Sequence, residues 1–307
     1  MKSDELATKI KALAREAGYD DCGVTTAEPF EGFRRGVEKR IAQFPELCEK
    51  YEPMLARVDV RGKNPWAKSI VVCIRHYGKY RSPKGLAGRI GRNYLFDRRC
   101  SQNPDFEMPG RFGESLKEQG LRIRKGGCPD RWAAARAGVA AFGKNNFAIS
   151  PKFGSWINIE TWLVDAELPA DEPTFEAPCP ENCSACIRAC PTGALVCKRS
   201  MRLDRCIAHL TYGDCGEIDA ELWEQMGEWI YGCDLCQQVC PQNRGRWSED
   251  LPAPWLENVA GQLQPGALAE MDEQTYREVV HPLFWYIPDD EAGLERWRRN
   301  AARALGR

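Results

Sequence analysis

Two short runs of cysteine contain the residues of this sequence best suited to metal chemistry. The first run is Cys179-Pro-Glu-Asn-Cys183-Ser-Ala-Cys186-Ile-Arg-Ala-Cys190-Pro191, the second is Cys233-Asp-Leu-Cys236-Gln-Gln-Val-Cys240-Pro241, and Cys206 lies between them. Thiolates are soft metal ligands, and such short separations let successive sulfur atoms converge on one centre. The runs therefore predict a metal-thiolate site.

The Cys-Pro pair that ends each run narrows this prediction to iron-sulfur clusters. Bacterial ferredoxins with two 4Fe-4S clusters use runs of this type, in which the cysteine before proline binds the other cluster. The predicted ligands are Cys179, Cys183, Cys186 and Cys240 for cluster 1, and Cys190, Cys206, Cys233 and Cys236 for cluster 2. The first run departs from the pattern, because three residues rather than two separate Cys179 from Cys183.

Zinc sites and disulfides are the alternative uses of closely spaced cysteines. Structural zinc also binds Cys-x-x-Cys pairs, but paired Cys-Pro endings are not typical of zinc sites. The sequence begins Met1-Lys-Ser-Asp-Glu-Leu, without the apolar core of a signal peptide. We therefore expect a cytoplasmic protein whose thiols stay reduced.

The composition is that of an ordinary globular protein. The 307 residues suit about two domains, and 43% of them are apolar. Lys and Arg total 43 against 44 acidic residues, so no bulk charge attracts nucleic acid or an anionic membrane. No apolar run approaches the length of about 20 residues that a membrane-spanning helix needs, and we expect no membrane partner.

Helical and strand patterns together predict an α+β fold. Helical periodicity covers residues 4–17, with Ser3 as the expected cap and Gly18 as the stop, and a short strand follows at 21–24. The β-branched run Ser69–Tyr77 predicts a strand buried on both faces, and Trp156–Val164 alternates between two faces. An Ala-rich helix is expected over 130–141, followed by a turn at 143–146.

Three segments are expected along the chain. Residues 1–170 should form a mixed α/β domain, and the Pro- and acid-rich stretch Leu168–Pro173 should link it to a ferredoxin-like two-cluster domain over 171–250. The last segment, 251–307, should contain helices at 273–280 and 291–305.

The whole chain resembles the epoxyqueuosine reductase family, cobalamin and iron-sulfur enzymes that finish queuosine on tRNA; reductive dehalogenases look like more distant relatives. The matching pieces are Ala14-Arg-Glu-Ala-Gly-Tyr-Asp-Asp-Cys-Gly-Val24, Ala137-Gly-Val-Ala-Ala-Phe-Gly-Lys-Asn145, Gly154-Ser-Trp156, Asp204-Arg-Cys206 and Arg299-Asn-Ala-Ala302. The resemblance implies a cobalamin in the amino-terminal domain beside cluster 2, and an external donor of flavodoxin or ferredoxin type. Lys144 and Asn145 would either bind the corrinoid or simply form a turn.

Two departures from the family pattern fall on residues of the implied active site. Where the family has a catalytic Asp, this chain reads Gly126-Gly-Cys128-Pro129, and the family's Gly-Arg-Asp-Tyr-His appears as Gly91-Arg-Asn93-Tyr94-Leu95. Cys128 is the candidate replacement for the lost proton donor, against the alternative of a small buried residue. Asn93 and Tyr94 are further candidate catalytic residues, and Tyr94 would line the substrate side, against the alternative of structural packing.

The departures also bear on the substrate. A basic patch typical of the family is replaced by the aromatic and acidic segment His281–Asp290, which is expected to be buried over a pocket rather than to stack bases. The leading hypothesis is a reductase that passes electrons through two 4Fe-4S clusters to cobalamin and a small-molecule or corrinoid substrate. The alternatives are an epoxyqueuosine reductase acting on tRNA, and an electron carrier whose corrin site is vacant.

Overall fold

The computed structural model describes residues 2–173, 178–213 and 215–306. Its α-helices are α1 (Ser3–Glu16), α2 (Glu31–Gln43), α3 (Cys48–Tyr51), α4 (Val60–Lys63), α5 (Arg92–Leu95), α6 (Met108–Glu118), α7 (Asp130–Arg136), α8 (Ala185–Arg188), α9 (Ile207–Tyr212), α10 (Ala220–Gln225), α11 (Leu235–Gln238), α12 (Pro254–Glu257), α13 (Pro265–Ala269), α14 (Glu273–Thr275) and α15 (Glu291–Ala304). The strands are β1 (Asp21–Thr26), β2 (Ser69–His76), β3 (Ile123–Lys125), β4 (Ala141–Phe142), β5 (Ala148–Ile149), β6 (Ile157–Val164), β7 (Leu195–Cys197) and β8 (Ser200–Met201). The predicted α+β class is confirmed.

The chain divides into two compact units. The first unit comprises Met1–His76 and Glu107–Cys183, and the second comprises Tyr77–Phe106 and Ser184–Arg307. The three-segment division expected from the sequence stays a prediction. No helix among the described residues is long and apolar enough to cross a membrane.

A four-stranded antiparallel sheet forms the centre of the first unit. Its strand order is β1-β2-β6-β3, and β2 is buried along its length except at His76. Side chains of β2 and β6 alternate between two apolar clusters: Val71 and Trp162 join α1 and α6 on one face, whereas Ile70 and Leu163 join α7 on the other. The strands and the alternation are therefore as expected from the period-two pattern.

Two predicted helix ends differ from the structure. Lys2, not Ser3, is the N-cap of α1, and Ser3 is already helical. The Ala-rich helix α7 ends at Arg136 rather than at residue 141, because Gly138 adopts a φ of 69° and the chain then enters the hairpin β4-β5. Gly18 does stop α1, with a φ of 107° that glycine adopts at low cost.

The close packing of α7 on β1 gives a stability prediction. A Cβ added at Gly23 would lie 2.4 Å from the carbonyl oxygen of Ala137 and 2.8 Å from Val139 Cγ1. Since the first of these atoms belongs to the backbone, Gly23→Ala should lower the free energy of unfolding by about 1–3 kcal/mol.

Chemical denaturation measures this effect, and Gly36→Ala is the control. Gly36 is exposed on α2, and the nearest atom to an added Cβ, Trp132 Cζ2, is 3.9 Å away. That substitution should stabilise the helix by about 0.5–1 kcal/mol. Equal unfolding free energies for the two variants would contradict the packing of α7 on β1.

The second unit is built from short helices around buried aromatic side chains. Tyr231 stacks on Trp297 of α15, with ring centroids 4.8 Å apart. The buried amide of Asn300 donates to the carbonyls of Thr211 (2.8 Å) and Ile230 (3.0 Å). The predicted helices at 273–280 and 291–305 are present, the first as α14 followed by a π-helical turn at Tyr276–Val280. Helix α15 thereby fixes the segment that leads into the second cysteine run.

The segment His281–Asp290 is buried only in part. Leu283, Phe284 and Ile287 are buried, as expected, but Trp285 and Tyr286 are each 38% exposed. The expectation of a fully buried aromatic cluster is wrong for these two residues.

Candidate functional site

The second unit brings the predicted ligands of cluster 2 together. Burial raises the pKa of the Cys236 thiol well above its usual value, and the neighbouring Cys233, Cys206 and Cys190 raise it further. The pKa of Cys233 is likewise raised, first by burial and then by Asp234, Cys206 and Cys190. Thiolates repel one another when they lie close together, and each of these two shifts includes a contribution from at least two other cysteines of the set.

Four thiolates that hold a 4Fe-4S cluster are arranged differently from four that hold one metal ion. Among the described residues, no three His, Cys, Asp or Glu side chains lie close enough to hold one metal ion. The thiolates of a 4Fe-4S cluster bind separate iron atoms at its corners, so they stand farther apart than the ligands of one ion. A bound metal also reverses the effect of burial on a thiol, because it stabilises the thiolate.

The two cysteine runs have the same local structure. Each has a short helix that contains the second cysteine of its Cys-x-x-Cys pair and ends before its Cys-Pro pair. This helix is α8 in the first run and α11 in the second, and the two helices pack together. The amide of Cys190 donates to the carbonyl of Ile187 at 3.3 Å, and that of Cys240 to Gln237 at 3.1 Å. The sequence repeat is therefore a structural repeat, as a two-cluster site requires.

Cys179 and Cys183, two predicted ligands of cluster 1, lie in a loop of the first unit that Lys144 holds. The Nζ of Lys144 donates to the carbonyls of Pro180 (2.9 Å), Glu181 (2.6 Å) and Cys183 (2.8 Å). Its backbone amide donates to the Sγ of Cys179 at 3.4 Å. A lysine ammonium has three donors, so all three have protein acceptors here.

Asn145, the other residue assigned to the corrinoid by resemblance, stabilises a turn. Its Oδ1 accepts a hydrogen bond from the amide of Phe147 at 3.2 Å, and its side chain is buried. Lys144 and Asn145 are therefore both engaged by protein groups, which supports the turn interpretation for Asn145 and a role at the cysteine loop for Lys144.

Cys128 packs as a small apolar residue. It is 1% exposed within an apolar cluster that includes Ile70 and Ala133. Burial, followed by the negative charge of Asp130, raises the pKa of the Cys128 thiol to about 12. A thiol with this pKa is a weak proton donor at neutral pH, and these observations favour the structural alternative.

Asp130 is an acidic residue two positions after the loop Gly126–Cys128, and the sequence predicts no role for it. Its Oδ1 accepts a hydrogen bond from Thr161 Oγ1 at 2.7 Å, and burial raises the pKa of its carboxyl above the usual value. The side chain is half-buried at the first residue of α7. A Pro-Asp pair before an Ala-rich run was the only available signal, and it indicates no more than a helix start.

Tyr94 lies in a group of tyrosines beside the start of the second cysteine run, at Gly232 and Cys233. Its ring centroid is 5.7 Å from that of Tyr212, 5.0 Å from Tyr231 and 5.7 Å from Tyr286. Burial, followed by these neighbours, raises its pKa well above the usual value. A Cβ added at Gly232 would lie 2.3 Å from Tyr94 Cε2, so the ring rests against the residue before Cys233.

Helix α5 carries Asn93 and Tyr94, and its first residue contacts the second cysteine run. The amide of Arg92 donates to Oδ2 of Asp234 at 2.8 Å, and Asp234 lies between Cys233 and Cys236 in sequence. Asn93 is half-buried on this helix. The structure thus places both candidate catalytic residues near the proposed cluster 2 ligands.

An aromatic pair with an arginine forms an exposed surface on the second unit. Trp285 stacks on Tyr286, with centroids 4.7 Å apart and planes inclined by 14°. The guanidinium carbon of Arg99 lies 3.9 Å from the Trp285 centroid, and Arg99 Nη2 donates to the Tyr286 hydroxyl at 2.6 Å. Asp97 pairs with the same guanidinium, which reduces the net positive charge of this surface.

Comparisons with known proteins place the cysteine runs within a described domain. Residues 179–243 match the family model of a 4Fe-4S double cluster binding domain. The match covers both runs and Cys206, so the presence of iron-sulfur clusters is confirmed at the level of the domain.

Curated relatives match far more of the chain. Epoxyqueuosine reductase of Bacillus cereus is 30% identical over 99% of this chain and 81% of its own length. The enzyme of Leadbetterella byssophila is 30% identical over 97% of this chain and 98% of its own length. The match to the Staphylococcus aureus enzyme, at 31% identity, covers 80% of this chain and 66% of that protein.

Solved structures agree with the sequence matches. Two epoxyqueuosine reductase structures match at 26% identity, one with an epoxyqueuosine-modified tRNA-Tyr stem loop (TM-score 0.76) and one from Bacillus subtilis with its catalytic aspartate loop swung out of the active site (TM-score 0.75). Each match covers 98% of this chain and 81% of that chain. A catabolic reductive dehalogenase shares the fold at 17% identity and a TM-score of 0.54, over 99% of this chain and 38% of its own.

Proposed function

Because this chain belongs to the epoxyqueuosine reductase family, we propose that it is an iron-sulfur oxidoreductase that passes electrons through two 4Fe-4S clusters to a small-molecule or corrinoid substrate. The observation that carries the choice of substrate is the loop from Gly126 to Cys128. It has glycine where the resemblance places the catalytic Asp, and its one thiol is buried with a raised pKa. A site without the family's proton donor is suited to a different substrate.

The proposed ligands of the two clusters are those expected from the cysteine pattern. Cys190, Cys206, Cys233 and Cys236 would hold cluster 2, supported by their mutual effect on the thiol pKa values. Cys179, Cys183, Cys186 and Cys240 would hold cluster 1, supported by the matching structure of the two runs. When bound, the clusters supply one-electron transfer at low potential.

The chain's own groups would set the conditions for that transfer. Backbone amides, such as that of Lys144 toward Cys179, donate to ligand sulfur and stabilise its negative charge. Reducing a substrate by two electrons also consumes protons, and the half-buried carboxyl of Asp130 is the acid near the Gly126 loop that could supply one. An external donor of flavodoxin or ferredoxin type would deliver the electrons.

Cobalamin is proposed from family membership alone. The two side chains that the resemblance assigns to a corrinoid do not fit that role, because Lys144 is engaged by three carbonyls and Asn145 by a turn. A corrinoid would have to be held by other groups, and no step of the proposal depends on it. The same observation favours the electron-carrier alternative.

The second candidate function is reduction of epoxyqueuosine in tRNA. The exposed pair Trp285 and Tyr286, with Arg99 beside it, offers flat faces on which unpaired bases stack in other proteins. One related structure contains a tRNA stem loop. Against this candidate, Asp97 neutralises Arg99, and phosphate binding needs uncompensated cations.

An anoxic binding and turnover assay with epoxyqueuosine-containing tRNA separates the two candidates. We expect dissociation constants above the micromolar range and only a slow background rate of reduction. Sub-micromolar binding that weakens with added salt, together with efficient turnover, would establish the tRNA substrate instead. Trp285→Ala is the matched variant, since a loss of binding in it would assign the tRNA to the aromatic pair.

A further inference from the structure

Lys144 lies at the tip of a hairpin of the first unit. Strands β4 and β5 pair antiparallel, with Ala141 opposite Ile149 and Phe142 opposite Ala148. The amide of Gly143 donates to the carbonyl of Phe147 at 2.9 Å, and Asn145 fixes the tip from within. Hydrogen bonds within the tip therefore hold the backbone on both sides of Lys144.

The ammonium of Lys144 is enclosed by the loop that carries Cys179 and Cys183. The residue is 9% exposed, and its three donors reach the carbonyl oxygens of Pro180, Glu181 and Cys183. Three convergent carbonyls complement a compact ammonium group, whereas a planar guanidinium would not fit the same three acceptors. A buried charge is tolerated here because it is hydrogen-bonded on every donor.

The enclosed loop is the part of the first cysteine run that departs from the ferredoxin spacing. Three residues separate Cys179 from Cys183, and the amide of Cys183 closes a turn on the carbonyl of Pro180 at 3.0 Å. Lys144 binds that same carbonyl, so one side chain holds the turn that the extra residue creates. The backbone amide of Lys144 reaches Cys179 Sγ at the start of the loop.

We infer that Lys144 is the positioning residue of cluster 1: it shapes the Cys179–Cys183 loop, and its charge sets the reduction potential of that cluster. The inference rests on the proposed assignment of Cys179 and Cys183 as ligands. One-electron reduction adds a negative charge to a cluster, and a fixed positive charge nearby favours the reduced form. The hydrogen bond to Cys179 Sγ acts in the same direction.

An electron paramagnetic resonance titration of the reconstituted protein tests the inference. Cys183→Ala and Cys206→Ala first assign the two cluster signals, since each variant should lose a different one. Lys144→Met keeps the length of the side chain and removes its charge. It should make the midpoint potential of cluster 1 more negative. At a fixed applied potential, the ratio of reduced to oxidised cluster should fall tenfold or more, and a tenfold change corresponds to a shift of about 59 mV for one electron.

Two further variants make the result specific. Lys144→Arg retains the charge and should recover most of the potential, although its guanidinium cannot satisfy all three carbonyls. Lys152→Met is the matched control, because Lys152 lies in the same unit with a side chain 60% exposed and paired with Asp21. It should leave both midpoints unchanged.

Every outcome decides either the role of Lys144 or the assignment of the cluster 1 ligands. Two results in Lys144→Met support the positioning role: a shifted midpoint potential of cluster 1, or loss of the cluster 1 signal alone. Unchanged midpoints, or loss of both signals, in Lys144→Met would overturn it. If Cys183→Ala leaves both signals intact, the ligand assignment fails instead, and limited proteolysis of the cluster-free protein still reports whether Lys144→Met loosens residues 179–183.

Discussion

Replacing Gly126 with Asp is expected to raise the rate of epoxyqueuosine reduction by roughly 10²- to 10⁴-fold over the wild-type chain, the usual contribution of a positioned general acid. Nothing lies within 4 Å of a Cβ added at Gly126, so the side chain has room. The φ of 71° is unfavourable for most residues, but Asp is among those that adopt it most readily, at a cost of about 1 kcal/mol. Single-turnover kinetics on epoxyqueuosine-containing tRNA measures the gain.

Gly126→Asn is the matched control for this prediction. It has the same shape and the same backbone preference but no acidic proton, so it should stay at the wild-type rate. Equal rates for the Asp and Asn variants, with both clusters present, would mean that the missing acid is not what separates this chain from its relatives. A wild-type chain that already reduces the tRNA efficiently would support the second candidate function.

Replacing Cys206 with Ala should remove one complete 4Fe-4S cluster. Cys206 is the one proposed ligand that lies outside both runs, and it precedes α9 at the N-cap position. Without it, cluster 2 would have three thiolates for four corners. Iron content should fall from about eight to about four atoms per chain, and all reductive turnover should stop because the relay is broken.

Cys197→Ala is the control for the loss of iron. Cys197 is exposed at the end of β7, within the same domain but outside the proposed ligand set. This variant should keep about eight iron atoms per chain, the content of two 4Fe-4S clusters. Loss of iron in Cys197→Ala, or full iron content in Cys206→Ala, would contradict the ligand assignment.

Local patterns in the sequence were enough to predict the sheet and the cysteine runs. Trp162 and Leu163 contact different apolar clusters because successive side chains of a strand point to opposite faces of the sheet. This alternation does not depend on distant parts of the chain. The paired runs predicted the double-cluster domain, because ligand spacing is a local property. The repeated helices α8 and α11 were not predicted.

Features that depend on distant parts of the chain could not be predicted in this way. The carbonyls that accept from the Lys144 ammonium lie 36–39 residues away in the sequence, and no residue type marks a carbonyl as an acceptor. The resemblance therefore assigned Lys144 to a corrinoid. Similarly, the burial that makes Cys128 a weak acid and raises the pKa of Asp130 depends on β6 and α7 packing together. The exposure of Trp285 and Tyr286 depends on which side of the segment packs inward.

The most direct test of the account is an electron paramagnetic resonance experiment on anoxically purified protein, before and after addition of cobalamin and then of reductant. We expect two cubane signals on reduction, because the proposed relay to a substrate needs both clusters. A protein-bound cobalt signal would mean that groups other than Lys144 and Asn145 hold a corrinoid, whereas cobalamin left free in solution would favour the electron-carrier alternative. The absence of cubane signals would contradict the iron-sulfur assignment itself.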